Sequence, residues 1–212
     1  MSEAIDLNKL YEAVLNGDAV GAKKITEEAL AAGVDPQSLV VERMIPAMDE
    51  VGKRFECNEF YVPELLIAAR AMKASLELLR PILAARGIEP AGRVVIGTVK
   101  GDLHDIGKGL VASMLEGGGF EVVDLGVDVP ADQFVKKAVE CRADLIAVSA
   151  LLTTTMTAMK GVIDAVKQAS LKCKIMVGGA PVTQQYADSI GADGYSSNAS
   201  GAVALARKLL AA

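Results

Sequence analysis

Apolar residues follow two different patterns along the chain. From residue 7 to about residue 83 they recur at the spacing of an amphipathic helix, with breakers at residues 33–36 and near Pro63. Strand-like runs are not evident in this part. The pattern predicts a bundle of four or five helices.

Short runs rich in β-branched residues dominate the second part of the chain. They predict strands at residues 93–98, 121–124, 145–149 and 174–177. Amphipathic stretches between them predict helices that begin near Ile106, Ala131, Thr154, Val182 and Ser200. This alternation is typical of a Rossmann-like or flavodoxin-like doubly wound parallel sheet, an α/β fold that binds ligands beyond the carboxyl ends of its strands.

The two patterns meet in a stretch without periodicity. Gly87, Pro90 and Gly92 lie close together there, as in a connecting segment. We therefore predict a helical domain at residues 1–86, a linker at 87–91 and an α/β domain at 92–212.

Composition and charge narrow the possible functions. The 212 residues carry a net charge of -5, so nucleic acid is not an expected partner. Cys57, Cys141 and Cys173 are an odd number at irregular spacing, which suits a reducing cytoplasm better than a disulfide framework. We expect no signal peptide, because residues 1–10 carry Glu3 and Asp6 and lack a basic region followed by an apolar core. We expect no membrane span, because the richest apolar stretch, residues 145–152, is too short.

Residues 100–108 lie between the first predicted strand and the following helix, at the binding edge of the sheet. They contain the one histidine of the sequence, His104, flanked by Asp102 and Asp105. A single imidazole cannot hold a bare metal ion well, so a metal would have to arrive already chelated by a macrocycle. Asp102 could then accept the other imidazole N–H. The alternative is that His104 only caps a helix or faces solvent.

The same segment also has features of a phosphate-binding turn. It lacks the glycine spacing of either nucleotide-binding motif, so a nucleotide is a weak interpretation. Lys100 and Lys108 in the segment, and Lys53 upstream, are expected to be solvated.

Three short motifs stand at predicted strand ends. They are Asp102-x-His104-x-x-Gly107, Ser149-x-Leu151 and Gly178-Gly179. Together, and in their spacing, they resemble the B12-binding module of cobalamin-dependent methionine synthase and its relatives. Residues 51–55 and 60–64 resemble the helical cap of the same family, so the resemblance covers the chain from about residue 5 to the end.

The resemblance implies a role for three residues in cobalt ligation. His104 would replace the dimethylbenzimidazole of the cofactor as lower ligand, and Asp102 would hydrogen-bond it. Thr155 stands where the family has a serine, which keeps the hydroxyl but adds a methyl group.

The resemblance also implies three sets of cofactor contacts. Around the ligand they are Gly101, Asp102, Leu103, His104, Asp105, Ile106 and Gly107. Along the slot for the displaced nucleotide tail they are Ser149, Leu151, Thr153, Gly178, Gly179, Asn198 and Ala199. In the cap they are Phe55, Val62 and Leu65, which would shield the upper face. Each set has a structural alternative: a buried strand, an ordinary turn, a helix start or the core of the bundle.

The function implied is that of a corrinoid methyl carrier. Cobalt would accept a methyl group from a donor bound to a partner methyltransferase, of the methanol, methylamine, betaine or methoxyarene class. A second methyltransferase would pass the group to tetrahydrofolate or coenzyme M, and a reductive activase would restore the cobalt. The carrier would not complete a turnover alone, and its cap would move on a hinge near residues 84–92.

Other functions remain open from the sequence. A B12-dependent sensor or light-responsive regulator would pair the same domains with a DNA-binding segment, and none is evident. The small subunit of an adenosylcobalamin mutase usually lacks the cap. A flavodoxin-like protein without cobalt would need aromatic residues for stacking, and the chain has no tryptophan and four tyrosines.

Overall fold

The computed structural model describes residues 6–211, which divide into two compact units. One contains the chain up to Pro90 together with Glu116–Gly119, and the other contains Ala91–Leu115 and the chain from Phe120 onward. The domain limits inferred from sequence stay a prediction.

Helices make up the first unit, as the periodicity predicted. They are α1 (Asn8–Leu15), α2 (Ala19–Ala31), α3 (Pro36–Leu39), α4 (Ile45–Glu56) and α5 (Val62–Ala85), with a π-helical turn at Val40–Met44 that joins α3 to α4. No helix in the described part of the chain is both long enough and apolar enough to cross a lipid bilayer.

Side-chain caps explain why two of these helices begin where they do. The Asp18 carboxylate accepts the Gly21 N–H at 2.9 Å before α2, and the Asp35 carboxylate accepts the Ser38 N–H at 3.0 Å before α3. Each carboxylate satisfies an N–H that has no partner within its helix. The predicted breaker at residues 33–36 is thus the start of α3.

The second unit is built on a five-stranded parallel sheet. Its strands are β1 (Arg93–Thr98), β2 (Glu121–Asp124), β3 (Leu145–Ser149), β4 (Lys174–Gly178) and β5 (Gly194–Tyr195), in the order β2-β1-β3-β4-β5. Its helices are α6 (Ile106–Gly117), α7 (Ala131–Cys141), α8 (Ala158–Gln168), α9 (Gln184–Ile190) and α10 (Ala199–Leu210). The predicted doubly wound fold is confirmed.

Several element limits differ from the prediction. β5 was not predicted, because two residues are too few to show a pattern. α8 begins at Ala158 and not near Thr154, since the Thr157 hydroxyl donates to the Thr154 carbonyl and favours a turn before the helix. α9 begins at Gln184, slightly later than predicted, and α10 slightly earlier, at Ala199.

Strand register brings the predicted motifs to one edge of the sheet. Val94, Val95 and Ile96 of β1 are buried, as expected for a strand that lies between two others, here β2 and β3. Thr98 pairs with Ser149, and Ser149 pairs with Gly178, at the carboxyl ends of β1, β3 and β4. The loops that follow these strands therefore start side by side.

Candidate cofactor site

His104 lies in the loop between β1 and α6. Its Nδ1 is 2.6 Å from Oδ1 of Asp102, and its side chain is 49% exposed while that of Asp102 is fully buried. Because an ionised carboxylate can only accept, the proton of a neutral imidazole resides on Nδ1. Nε2 then has a free lone pair, which is the form that can bind a metal.

Four donors converge on the Asp102 carboxylate. Oδ2 accepts the Thr155 hydroxyl at 2.6 Å and the Leu151 N–H at 2.8 Å, and Oδ1 accepts both the ring and the main-chain N–H of His104. Burial raises the pKa of this carboxyl group, but the hydrogen bonds from Thr155, Leu151 and His104 outweigh it and hold the pKa far below its usual range. Asp102 is therefore ionised.

Main-chain contacts also fix the loop around His104. The buried Thr98 hydroxyl donates to the His104 carbonyl at 2.9 Å. The Gly101 N–H, at a residue with φ +84°, donates to Oδ1 of Asp128 at 2.7 Å, and the Asp128 N–H donates to the Asp102 carbonyl at 3.0 Å. Sequence reasoning missed Thr98 and Asp128; the one available signal was a polar residue ending an apolar strand.

Lys108 corrects one expectation from the sequence. Lys53 and Lys100 are exposed as expected, but Lys108 is only 3% exposed, so its predicted solvation was wrong. Its Nζ lies 2.7 Å from Asp105 and 2.5 Å from Asp124. Burial lowers the pKa of this ammonium, but the two carboxylates outweigh it and raise the pKa. A charge can be buried here because it is paired twice.

Large apolar side chains near the ligand loop are open to solvent. Leu103 is 73% and Ile106 is 88% exposed, and Leu151 and Leu152 after β3 are each 43% exposed. Contiguous apolar surface on a folded domain commonly marks a binding site. Around a half-exposed imidazole, this surface fits the flat apolar ring of a macrocycle.

Two adjacent glycines end β4 where the nucleotide tail is predicted to lie. A Cβ on Gly179, which has φ +126°, would stand 1.9 Å from the Ala150 carbonyl oxygen. A Cβ on Gly178 would stand 3.2 Å from the Ser196 carbonyl oxygen. Gly179 is thus required by the chain's own backbone, in addition to any role beside a ligand.

The remaining predicted slot residues have varied surroundings. Asn198 caps α10 by accepting the Gly201 N–H at 2.7 Å, and Ala199 is 5% exposed. Thr153 is exposed in the turns after β3. A Cβ added at Gly107 would meet no other atom within 4 Å. Their contact with a cofactor stays a prediction.

The three predicted cap residues differ in exposure. Leu65 is fully buried, Phe55 is half-buried and Val62 is 39% exposed. Burial of Leu65 agrees with the alternative that it belongs to a core. Contact of these side chains with the upper face of a cofactor stays a prediction.

His104 has no companion that could share a metal ion among the described residues. Within residues 6–211, no three histidine, cysteine, aspartate or glutamate side chains come together in a way that could hold a metal ion. One imidazole suits a metal that already has its equatorial ligands, as in a corrinoid.

Family comparisons cover nearly the whole chain. A B12 binding domain model matches residues 92–204, and a second B12 binding domain model matches residues 6–80. Trimethylamine corrinoid protein 1 of Methanosarcina acetivorans is 46% identical over 206 residues, which is 95% of each chain.

Solved structures agree with these matches. A cobalamin-binding protein from Desulfitobacterium hafniense is 32% identical with a TM-score of 0.79, covering 97% of this chain and 99% of its own. The methanol:cobalamin methyltransferase complex of Methanosarcina barkeri contains a chain that is 29% identical with a TM-score of 0.86, over 97% of this chain and 80% of that one.

These matches confirm the cobalamin cofactor and the methyl-carrier role that the motifs implied. The match to the methanol methyltransferase complex also supports a methyltransferase as partner. The chain belongs to the B12-binding corrinoid proteins of methyltransferase systems.

Proposed function

We propose that this protein carries its methyl group on a corrinoid, and that Nε2 of His104 would bind the cobalt of that corrinoid. The observation that carries the proposal is the 2.6 Å contact between Nδ1 of His104 and the buried, ionised Asp102. The corrinoid supplies a cobalt centre that can accept a methyl group and give it up.

Asp102 acts on the His104 imidazole directly, and Thr155 acts on it through Asp102. Asp102 keeps the proton on Nδ1 and orients the ring, and the resulting partial negative charge on the imidazole strengthens it as a donor. The Thr155 hydroxyl, 2.6 Å from Asp102, keeps that carboxylate ionised and in place. A threonine can therefore do the work of the family serine.

The methyl donor is, in this proposal, a methylated amine or quaternary ammonium compound bound to a partner methyltransferase. Support comes from relatives named trimethylamine and dimethylamine corrinoid proteins, at 46% and 43% identity. A second methyltransferase would pass the group to tetrahydrofolate or coenzyme M, and a reductive activase would restore oxidised cobalt. Free thiols at Cys57, Cys141 and Cys173 are compatible with a cytoplasmic location.

The domain limits complete the proposal, with the cap at residues 1–86 and the cofactor domain at 92–212. Residues 86–92 lie outside helices and strands, and Gly87 has φ +71° with open space around it. This segment is proposed as the hinge. Cross-linking engineered cysteines on its two sides should stop methyl transfer and spare cofactor binding; unchanged transfer would rule the hinge out.

A His104→Ala variant tests the ligand. Wild-type and variant protein are reconstituted with hydroxocobalamin, and their visible spectra are compared before and after reduction. Ligation by His104 predicts a shifted axial-ligand band in the variant, whereas Lys100→Ala, an exposed change in the same loop, should match the wild type. Identical spectra in all three proteins would exclude His104 as ligand.

The donor is tested separately with purified methyltransferases. Reduced holoprotein is incubated with a trimethylamine methyltransferase and trimethylamine, or with a methanol methyltransferase and methanol, and the spectrum of the cobalt centre is followed. The proposal predicts a response to the amine pair. A response to methanol alone would overturn the donor class without affecting the ligand assignment.

A further inference from the structure

The strand β2 has no part in the motifs that identify the site, yet its carboxyl end contacts the His104 loop twice. Asp124 ends the strand, and Asp128 lies in the segment that leads to α7. Both aspartates make contacts with residues 101–108. The motif residues follow β1, β3 and β4, so this is a fourth contribution to the same edge.

Asp128 holds the Gly101-Asp102 segment at both of its ends. Its carboxylate accepts the Gly101 N–H at 2.7 Å, and its own N–H donates to the Asp102 carbonyl at 3.0 Å. Asp128 has φ +55°, a left-handed conformation that is uncommon outside glycine. Such a conformation persists where neighbouring contacts determine it, and it is frequent at functional sites.

Asp124 reaches the loop through Lys108. The ammonium of Lys108 is buried between Asp124 and Asp105, and Asp105 is the residue after His104. Asp124 also accepts the Gly126 N–H at 2.8 Å, which fixes its own position. The ion pairs therefore connect the end of β2 to the first turn of α6, directly beyond the ligand.

We propose that Asp128 and Asp124 are positioning residues that aim the His104 imidazole at the cobalt. The inference rests on the proposed ligation by His104. Neither aspartate contacts the imidazole. Asp128 acts through the main chain on which Asp102 stands, and Asp124 acts through Lys108 and Asp105 on the other side of His104. The loop is thus held on both sides of the ligand.

Asp128 offers a substitution series that separates the contact from the backbone conformation. Asp128→Gly keeps a residue suited to positive φ but removes the acceptor for Gly101. Asp128→Asn keeps both, since asparagine tolerates this conformation and its amide oxygen can accept. Ser170→Gly is the control, because Ser170 is exposed and has φ +53° with no role in the site.

The measurement is the electron paramagnetic resonance of the reconstituted cob(II)alamin form. In protein made with nitrogen-15 histidine, a bound His104 splits the signal into two lines and the cofactor's own base splits it into three, so the spectrum gives the ratio of histidine-ligated protein to the rest. Loss of an orienting partner commonly weakens metal binding about tenfold or more. We expect Asp128→Gly to lower this ratio about tenfold, Asp128→Asn to restore most of it, and Ser170→Gly to leave it at the wild-type value.

Lys108→Met gives a second test that does not involve Asp128. It keeps an unbranched side chain of similar length but breaks both ion pairs, and it too should lower the ligated fraction. The apoprotein provides a readout without cofactor, because His104 is the one histidine and its ring nitrogens give unambiguous nuclear magnetic resonance signals. In the variants, these signals should no longer show a single Nδ1-protonated form of the His104 ring.

The outcomes separate the two proposals. A wild-type spectrum without histidine nitrogen splitting would overturn the ligand assignment itself. A wild-type spectrum split by the histidine nitrogen, with Asp128→Gly and Lys108→Met split by it to the same extent, would overturn the positioning role alone. If Asp128→Gly does not fold, Lys108→Met and the milder Asp124→Asn decide the question by the same ratio.

Discussion

The loop that holds His104 between β1 and α6 (the ligand loop) and the slot predicted for the nucleotide tail at the ends of β3 and β4 (the tail slot) lie at the same edge of one sheet. Different interactions determine their structures. Around His104, polar side chains determine the geometry: Asp102 alone accepts hydrogen bonds from four donors. Along the slot, close main-chain packing determines it, with Gly179 against Ala150. A metal ligand needs a fixed direction, whereas a slot needs a fixed shape.

That difference teaches where each part is sensitive. The ligand loop should be destabilised when a hydrogen-bonding group is lost, even if the side-chain volume is kept. The tail slot should be destabilised when an atom is added, even if no polar group changes. Substitutions measured in the apoprotein can test this contrast without the cofactor.

Gly179→Ala should have the largest effect. Its Cβ would overlap the Ala150 carbonyl oxygen, and alanine is strained at φ +126°, so we expect a loss of more than about 3 kcal/mol in the free energy of unfolding. Denaturant unfolding of the apoprotein measures it. Gly161→Ala in α8 is the control, because its Cβ has open space and alanine favours helices by up to about 1 kcal/mol. If Gly179→Ala were as stable as Gly161→Ala, close main-chain packing would not determine the slot.

Asp102→Asn should cost about 2 to 3 kcal/mol of unfolding free energy, because an amide accepts at one end and leaves buried donors unpaired at the other. Nuclear magnetic resonance of the histidine ring should also show loss of the single Nδ1-protonated form. Asp18→Asn is the matched control: the Asp18 side chain accepts one N–H at a helix start, a task asparagine does equally well. A variant as stable as this control would contradict the network.

Thr155→Val should have the smallest effect, about 1 kcal/mol, because it removes one of the four donors to Asp102 and keeps the volume. Thr155→Ser should match the wild type in both unfolding and cobalt spectra, since the hydroxyl is the part that contacts Asp102. A loss with serine as large as that with valine would show that the methyl group matters instead.

The fold was predictable to the extent that its elements had a pattern. Four strands were found because each is a run of apolar residues, and α6 and α7 begin as predicted. β5 was missed because Gly194 and Tyr195 are too short a pair to show alternation. The start of α8 was misplaced because the Thr157 hydroxyl competes with helical hydrogen bonds, which periodicity does not reveal.

The site was predictable where residues act close together in sequence. Asp102 and His104 are two positions apart, so their contact could be inferred from the loop alone. The burial of Lys108 was not predicted, because a lysine in a first helical turn is normally solvated. Its partner Asp124 ends β2, which is distant from Lys108 in sequence. Asp128 was missed for the same reason, because its contacts depend on how strand ends meet. Thr98 was missed because its hydroxyl bonds a main-chain carbonyl, which residue identities do not reveal.

Selective isotope labelling of His104 tests the central claim most directly. The protein is produced with nitrogen-15 histidine, without a histidine tag, and reconstituted as unlabelled cob(II)alamin for electron paramagnetic resonance. Because His104 is the one histidine, its ligation predicts that the three-line nitrogen splitting of unlabelled protein becomes a two-line splitting. A three-line pattern that persists in labelled protein would show that the cofactor's own base is the ligand, and would contradict the account.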